Sequence, residues 1–182
     1  MIQKLSFTII LILIIFNVIS LKAQPSSQRT NQLKFSAEQN TFLSYSGLNL
    51  SLIGATNYSK HALGIGINTS IQNNYLPYRQ SIGFTANYKY FFISNKKIKG
   101  FLSINYINSN YNSSNRTVSQ KNRLHEYLYG NGFLARIYKG FWIGNSIGFG
   151  GYTERYYDIS ESTYKKNTGY NYQLNAIFRY DF

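Results

Sequence analysis

The chain has 182 residues, 19 basic against 6 acidic, for a formal net charge of +13, and it contains no cysteine. That excludes a disulfide scaffold, a thiolate metal site, a cysteine nucleophile and a lipid-modified N-terminal cysteine. Aromatics at 18% exclude a disordered polar chain, and charged residues at 14% fall well short of the ~25% of ordinary soluble domains.

Residues 1–23 read as a secretory signal peptide. Lys4 supplies the positive start, Phe7 to Phe16 is an almost unbroken apolar run, and Ala23 places a small residue before Gln24. The run is shorter than the ~20 residues of a comfortable membrane helix. After a linker at 24–30, no later apolar stretch approaches that length. A membrane-bound mature chain must therefore cross as strands.

From residue 31 onward the pattern alternates with period two. Strands are expected near 31–41, 46–56, 61–72, 79–93, 98–112, 123–138, 140–156 and 169–182. The first is short, with Leu33, Phe35 and Ala37 against Lys34, Ser36 and Glu38. The third sets Leu63, Ile65, Ile67 and Ile71 against Gly64, Gly66, Asn68 and Ser70. The fourth sets Ile82, Phe84, Ala86, Tyr88, Tyr90 and Phe92 against Ser81, Gly83, Thr85, Asn87 and Lys89. The last is the cleanest: Tyr172, Leu174, Ala176, Phe178, Tyr180 and Phe182 share one face, and Asn171, Gln173, Asn175, Ile177, Arg179 and Asp181 the other.

The connections alternate as well. Residues 56–60, 94–97 and 138–140 are tight turns, whereas 72–79, 112–123 and 157–168 are longer and polar. Short turns on one rim, longer loops on the other and strands beyond the ~9–11 residues that a bilayer needs describe an all-β, eight-stranded antiparallel up-and-down transmembrane barrel. Closure also removes the edges that long antiparallel strands would expose.

The apolar face is expected to meet lipid. The polar face is rich in small residues (Gly130, Gly132, Gly144, Ser146, Gly148, Gly150), which suits a narrow lumen. Aromatics gather near strand ends, as rings at a water–hydrocarbon boundary do. Lys34, Glu38, Lys89, Glu126, Arg136, Glu154, Arg179 and Asp181 all fall on the polar face and are expected to form a lumen charge network. A midplane Lys or Arg facing lipid would instead cost ~2–4 kcal/mol.

Taken together, the leader, the eight alternating strands and a last strand ending in Phe178, Tyr180 and Phe182 resemble the small outer-membrane β-barrels of Gram-negative bacteria, the OmpA/OmpX-like family. The Asn, Ile, Lys and Tyr richness is similar to Bacteroidetes-type members. The resemblance covers residues 31–182. It implies a bacterial outer-membrane location, long loops facing outward, and Phe178, Tyr180 and Phe182 as the signal read by the barrel-assembly machinery. Asn175 and Ala176 stand where a glycine is often found in that family. The resemblance implies no single function, because such barrels serve as anchors, adhesins, lipid enzymes and small-ligand sites.

Catalytic chemistry is not expected. The two histidines are far apart: His61 lies at a short turn and His125 near the outer start of the sixth strand. Barrel-type lipid A deacylases carry His and Ser two residues apart, and here the residue two after His125 is Tyr127. No cluster of His, Asp and Glu has metal-ligand spacing, and no cofactor is expected. An eight-stranded lumen is narrow enough for side chains to fill. The outer loops carry Arg79, Arg116, Lys121, Arg123, Arg155, Lys165 and Lys166, cations suited to lipopolysaccharide phosphates. With basic residues split between rims and lumen, nucleic acid is not an expected partner. The sequence therefore predicts a monomeric, non-enzymatic outer-membrane barrel with a structural, lipopolysaccharide-contacting or surface-interaction role. A small-solute passage or a lipocalin-like carrier is the alternative, and a lipid A-modifying enzyme the third reading.

Overall fold

In the computed structural model, residues 33–73, 81–115, 118–158 and 160–182 are described. The expected leader at 1–23 and linker at 24–30 lie outside them. Every regular element among the described residues is a strand: β1 (Leu33–Ser44), β2 (Gly47–Tyr58), β3 (His61–Asn73), β4 (Ile82–Ser94), β5 (Ile98–Asn115), β6 (Val118–Tyr138), β7 (Phe141–Asp158) and β8 (Thr163–Asp181). Each pairs antiparallel with its chain neighbours. β1 also pairs with β8, from Ser36↔Asp181 to Leu43↔Leu174, which closes the barrel.

The turn chemistry explains the tight rim. Ser59 (φ 55°) and Gly140 (φ 74°) supply the left-handed backbone of two two-residue hairpins. Asn95 makes the third turn, its Oδ1 accepting from the Lys97 and Ile98 amides at 2.9 and 2.6 Å.

Stagger sets the dimensions. The hydrogen-bonded path Gln39, Leu52, Ile67, Phe84, Asn108, His125, Thr153, Thr168 meets the β1 register again about 10 residues from its start. At ~3.3 Å per residue and ~4.8 Å between strands, that stagger tilts eight strands by about 40° and leaves ~2.5 Å of height per residue.

Two expectations need correction. The loops expected at 112–123 and 157–168 are largely strand: β5 and β6 stay paired to Asn115↔Val118, and β7 and β8 to Asp158↔Thr163. Beyond the bilayer no lipid selects an apolar outer face, so the alternation fades while the backbone ladder continues. In addition, the long-loop rim carries one tight turn, Tyr45–Ser46, because β1 and β2 run closer to each other than the sequence pattern indicates.

The faces are sorted as a membrane barrel requires. Outward residues include Ile65 at 75% and Tyr170 at 96% exposure, while Asn68, Asn171, Gln173 and Arg179 are buried inside. An apolar exterior around a polar interior is the reverse of a soluble carrier barrel, which corrects the lipocalin-like alternative.

Candidate functional site

The lower lumen, toward the short turns, is filled. Glu38 of β1, Lys89 of β4 and Arg179 of β8 meet there, each at most 3% exposed. Lys89 Nζ donates to Glu38 Oε2, and Arg179 Nη1 donates to Glu38 Oε1 at 2.7 Å. Arg179 spends its remaining fork on Asp181 Oδ1 (2.6 Å) and Asn57 Oδ1 (2.5 Å). Lys99 of β5 completes the network, donating to Asp181 Oδ2 at 2.5 Å. The barrel places these partners together by closure, since Glu38 and Arg179 are 141 residues apart in the chain.

An apolar cluster packs around the charges: Ala62, Phe91, Phe101, Leu134, Trp142 and Ile177. The cations rest on its rings. Lys99 Nζ lies 4.1 Å from the Trp142 ring centre, Lys89 Nζ 5.0 Å from Phe101, and the Arg179 guanidinium 5.4 Å from Phe91. Phe101 fits because Gly132 faces it. A Cβ at Gly132 would stand 2.6 Å from the Phe101 ring and 2.4 Å from the Asn145 carbonyl oxygen.

The upper lumen is polar and mostly uncharged. Phe42, Ile107 and Leu128 form a second, smaller cluster. Glu126 is fully buried beside it, its Oε1 accepting from Asn171 Nδ2 at 2.6 Å, while its Oε2 has no hydrogen-bond partner among the described residues. At the mouth the Tyr111 hydroxyl donates to Glu154 Oε1, beside a small recess bounded by Tyr45, Ser81 and Leu124.

The outer wall carries two aromatic belts. Toward the short turns stand Tyr58, Tyr138, Phe141, Tyr180 and Phe182; toward the long hairpins stand Tyr127, Tyr129, Phe149, Tyr170 and Tyr172. Each belt includes a histidine that contacts a tyrosine: His61 Nδ1 is 2.7 Å from the Tyr88 hydroxyl, and His125 Nδ1 is 2.8 Å from that of Tyr106. Tyr170 and Tyr180 on β8 are ten residues apart, a separation of about 25 Å in height, which is the span of an outer-membrane apolar band. Past the upper belt, β6 continues from Tyr127 to Val118 and β7 from Gly151 to Asp158, so both hairpins project roughly 17–22 Å farther.

These placements divide the residues singled out from sequence. Glu38, Lys89, Arg179 and Asp181 join one network. Glu126 and Glu154 face the lumen but bond to neutral groups. Lys34 and Arg136 do not belong to the network. Both are exposed at the lower rim, where the β6–β7 ladder shifts at Arg136/Tyr138 and Arg136 donates to the Tyr138 and Lys96 carbonyls at 3.4 and 3.3 Å. Sequence reasoning missed Lys99. The signal was present, because the outward run Leu102, Ile104, Tyr106 puts Lys99 and Phe101 on the lumen face. Arg79 and Arg116 lie outside the described residues. Lys121, Arg123, Arg155 and Lys166 are exposed on the hairpins. Lys165 is different, as it pairs with Asp158 at 2.7 Å and Glu161 at 2.6 Å. The Lys165 and Ser160 hydrogen bonds hold the Asp158 carboxyl below the usual carboxylate range, and the Asp158 and Glu161 bonds push Lys165 up. Phe178, Tyr180 and Phe182 all face outward. His125 faces outward and Glu126 inward, so the two do not combine. Among the described residues, no three His, Asp or Glu side chains converge as a metal site.

No protein-family model matches the chain, and no curated protein does. Among solved structures it is similar to Neisserial surface protein A (NspA), with 12% identity and a TM-score of 0.51 over 82% of this chain and 96% of that one. The fold is that of an outer-membrane β-barrel. Weaker likenesses are to a major outer membrane protein from Thermus thermophilus (11% identity, TM-score 0.41, 82% of this chain and 99% of that one) and to the outer membrane protease OmpT from Escherichia coli (12%, 0.41, 84% and 94%). At these identities the likeness concerns the fold alone.

Proposed function

We propose that this chain is a non-enzymatic, monomeric protein of the bacterial outer membrane, delivered by its N-terminal leader and inserted by the barrel-assembly machinery, which reads Phe178, Tyr180 and Phe182. Its role is structural and surface-interacting, with lipopolysaccharide the expected outer-leaflet partner. One observation carries the reading: the lumen is packed with side chains, while two paired hairpins project well past the upper aromatic belt. A filled lower lumen leaves a solute no path through the barrel. The hairpins put the outward cations where an outer-leaflet lipid or another surface molecule can reach them.

The test is cell fractionation with gel mobility. The expressed protein should float with outer-membrane vesicles and migrate differently before and after boiling in detergent. Liposomes carrying it should not swell in small-solute gradients, and the mass of lipid A from expressing cells should match that from cells carrying His125→Ala. A protein that stays soluble without detergent would overturn the membrane reading. Swelling, or a His125-dependent change in lipid A mass, would overturn the closed or the non-enzymatic part.

A further inference from the structure

Three cations share one register line on the outer wall. Arg123 of β6 lies opposite Arg155 of β7, and Arg155 lies opposite Lys166 of β8. All three are exposed and face away from the lumen. Adjacent strands are ~5 Å apart, and like charges placed directly opposite each other repel. Among the described residues no carboxylate pairs with any of the three. The acids of the same hairpins sit elsewhere, Glu154 with Tyr111 and Asp158 and Glu161 with Lys165. Charge is thus sorted by face, with an uncompensated positive row outside. Tyr164 helps fix it, with the Arg155 guanidinium 4.6 Å from its ring centre.

The height of this row selects its partner. Directly below it, in register, come His125, Thr153 and Thr168, then Tyr127, Gly151 and Tyr170, then Tyr129, Phe149 and Tyr172. The wall therefore grades from cationic through polar to aromatic within six residues. At ~2.5 Å per residue the cations stand about 10 Å above Tyr127 and Tyr170. Interfacial rings mark the hydrocarbon edge, and the headgroup layer extends ~5–8 Å beyond it. The row stands just past that layer, and its long side chains can reach back down to the headgroups.

We propose that Arg123, Arg155 and Lys166 form a binding site for the phosphate groups of an outer-leaflet lipid, whose acyl chains lie down the Tyr129, Phe149 and Tyr172 strip. Bidentate guanidinium–phosphate bonds would relieve the repulsion within the row, and a lipid meets the cationic and apolar parts together, which free phosphate does not. This deepens the membrane reading above and depends on it.

The experiment refolds the full chain into phosphatidylcholine vesicles doped with diphosphoryl lipid A, extracts it in mild detergent and measures retained lipid A by native mass spectrometry. Flotation and boiling-dependent mobility are recorded on the same samples. Wild type should retain lipid A in the presence of millimolar inorganic phosphate. Arg123→Ser/Arg155→Ser/Lys166→Ser should retain at least tenfold less while floating and shifting normally. Lys60→Ser/Lys96→Ser/Lys139→Ser, an equal charge loss at the other rim, should retain as much as wild type. Equal retention by the first triple variant, equal loss in the second, or displacement by inorganic phosphate would overturn the site while leaving the membrane barrel intact. A wild type that fails to float would overturn both.

Discussion

Replacing Glu38 with alanine tests whether the lower lumen is held by its ion network. The carboxylate accepts from Lys89 and Arg179, and all three groups are buried. Arg179 would keep Asp181 and Asn57, so the loss falls on Lys89, which has no other carboxylate partner in the network. A unit-charge pair at ~4 Å with an effective dielectric of ~20 is worth ~4 kcal/mol. Removing one member of a buried pair commonly costs ~3–5 kcal/mol, because the other charge stays desolvated. With a urea dependence near ~3 kcal/mol per molar, the unfolding midpoint in vesicles should fall by about 1–2 M. Glu38→Met/Lys89→Met removes both charges and should recover most of that loss, since an apolar pair of similar volume has no stranded charge. The assay is a urea titration read by boiling-sensitive gel mobility, with midpoints compared across wild type, Glu38→Ala and the double variant. A single-variant shift below about 0.3 M, or a double variant no better than Glu38→Ala, would refute the reasoning.

Packing gives a second expectation: Gly132→Val should abolish the compact unboiled gel band, because the Phe101 ring and the Asn145 carbonyl already occupy its space, whereas Gly54→Ala, which meets nothing within 4 Å, should leave the band unchanged. The Asp158–Lys165 pair should make order at the β7–β8 tip pH-dependent. The Asp158 pKa is depressed on folding, so its contribution is present above its ordinary value near 3.8 and is lost as pH falls through the depressed one. Lys165 is raised, so its contribution is complete below 10.5 and is lost only at higher pH. Amide exchange at Thr163 and Tyr164 should therefore be slow and constant across neutral pH once corrected for intrinsic rates. Protection that changed between pH 6 and 8 would contradict this. In planar bilayers the wild type should show no conductance steps, and Phe91→Ala/Phe101→Ala, which removes two rings of the plug, should show small ones. A wild type that conducts as well as the double variant would mean the plug does not seal.

The sequence made the face of nearly every residue legible, because side chains alternate along a strand and one face meets lipid. Asn171, Gln173, Ile177 and Arg179 sit inside and Tyr172, Leu174, Phe178 and Tyr180 outside, as counting back from Phe182 indicates. It did not reveal which inward residues meet. Glu38 finds Lys89 and Arg179 only through a stagger accumulated over every strand pair, and no local pattern encodes that sum. Lys34 and Arg136 show the same gap. Their parity is inward, but parity does not tell how near the rim a residue lies, and both end in solvent. The outer ends of the hairpins look like loops in the sequence for the complementary reason. Residues 112–115 and 118–122 lack apolar alternation, yet their backbones stay paired because the strands below hold them in register.

The two halves of the lumen differ in a way that bears on function. The buried cations and the larger ring cluster lie toward the short turns, where the Phe182 amide donates to the Phe35 carbonyl of β1 at 3.0 Å. The upper half holds the smaller cluster, a carboxylate bonded only to neutral groups, and the narrow recess at its mouth. A barrel needs its interior satisfied to close, and concentrating the costly charges at one end lets one compact network complete them. The other end then requires little beyond backbone ladders and hydroxyl bonds. Substitutions on the outer faces of the β5–β6 and β7–β8 hairpins leave the lower network untouched, so the surface that meets the outside is free to specialise while the closed base stays fixed.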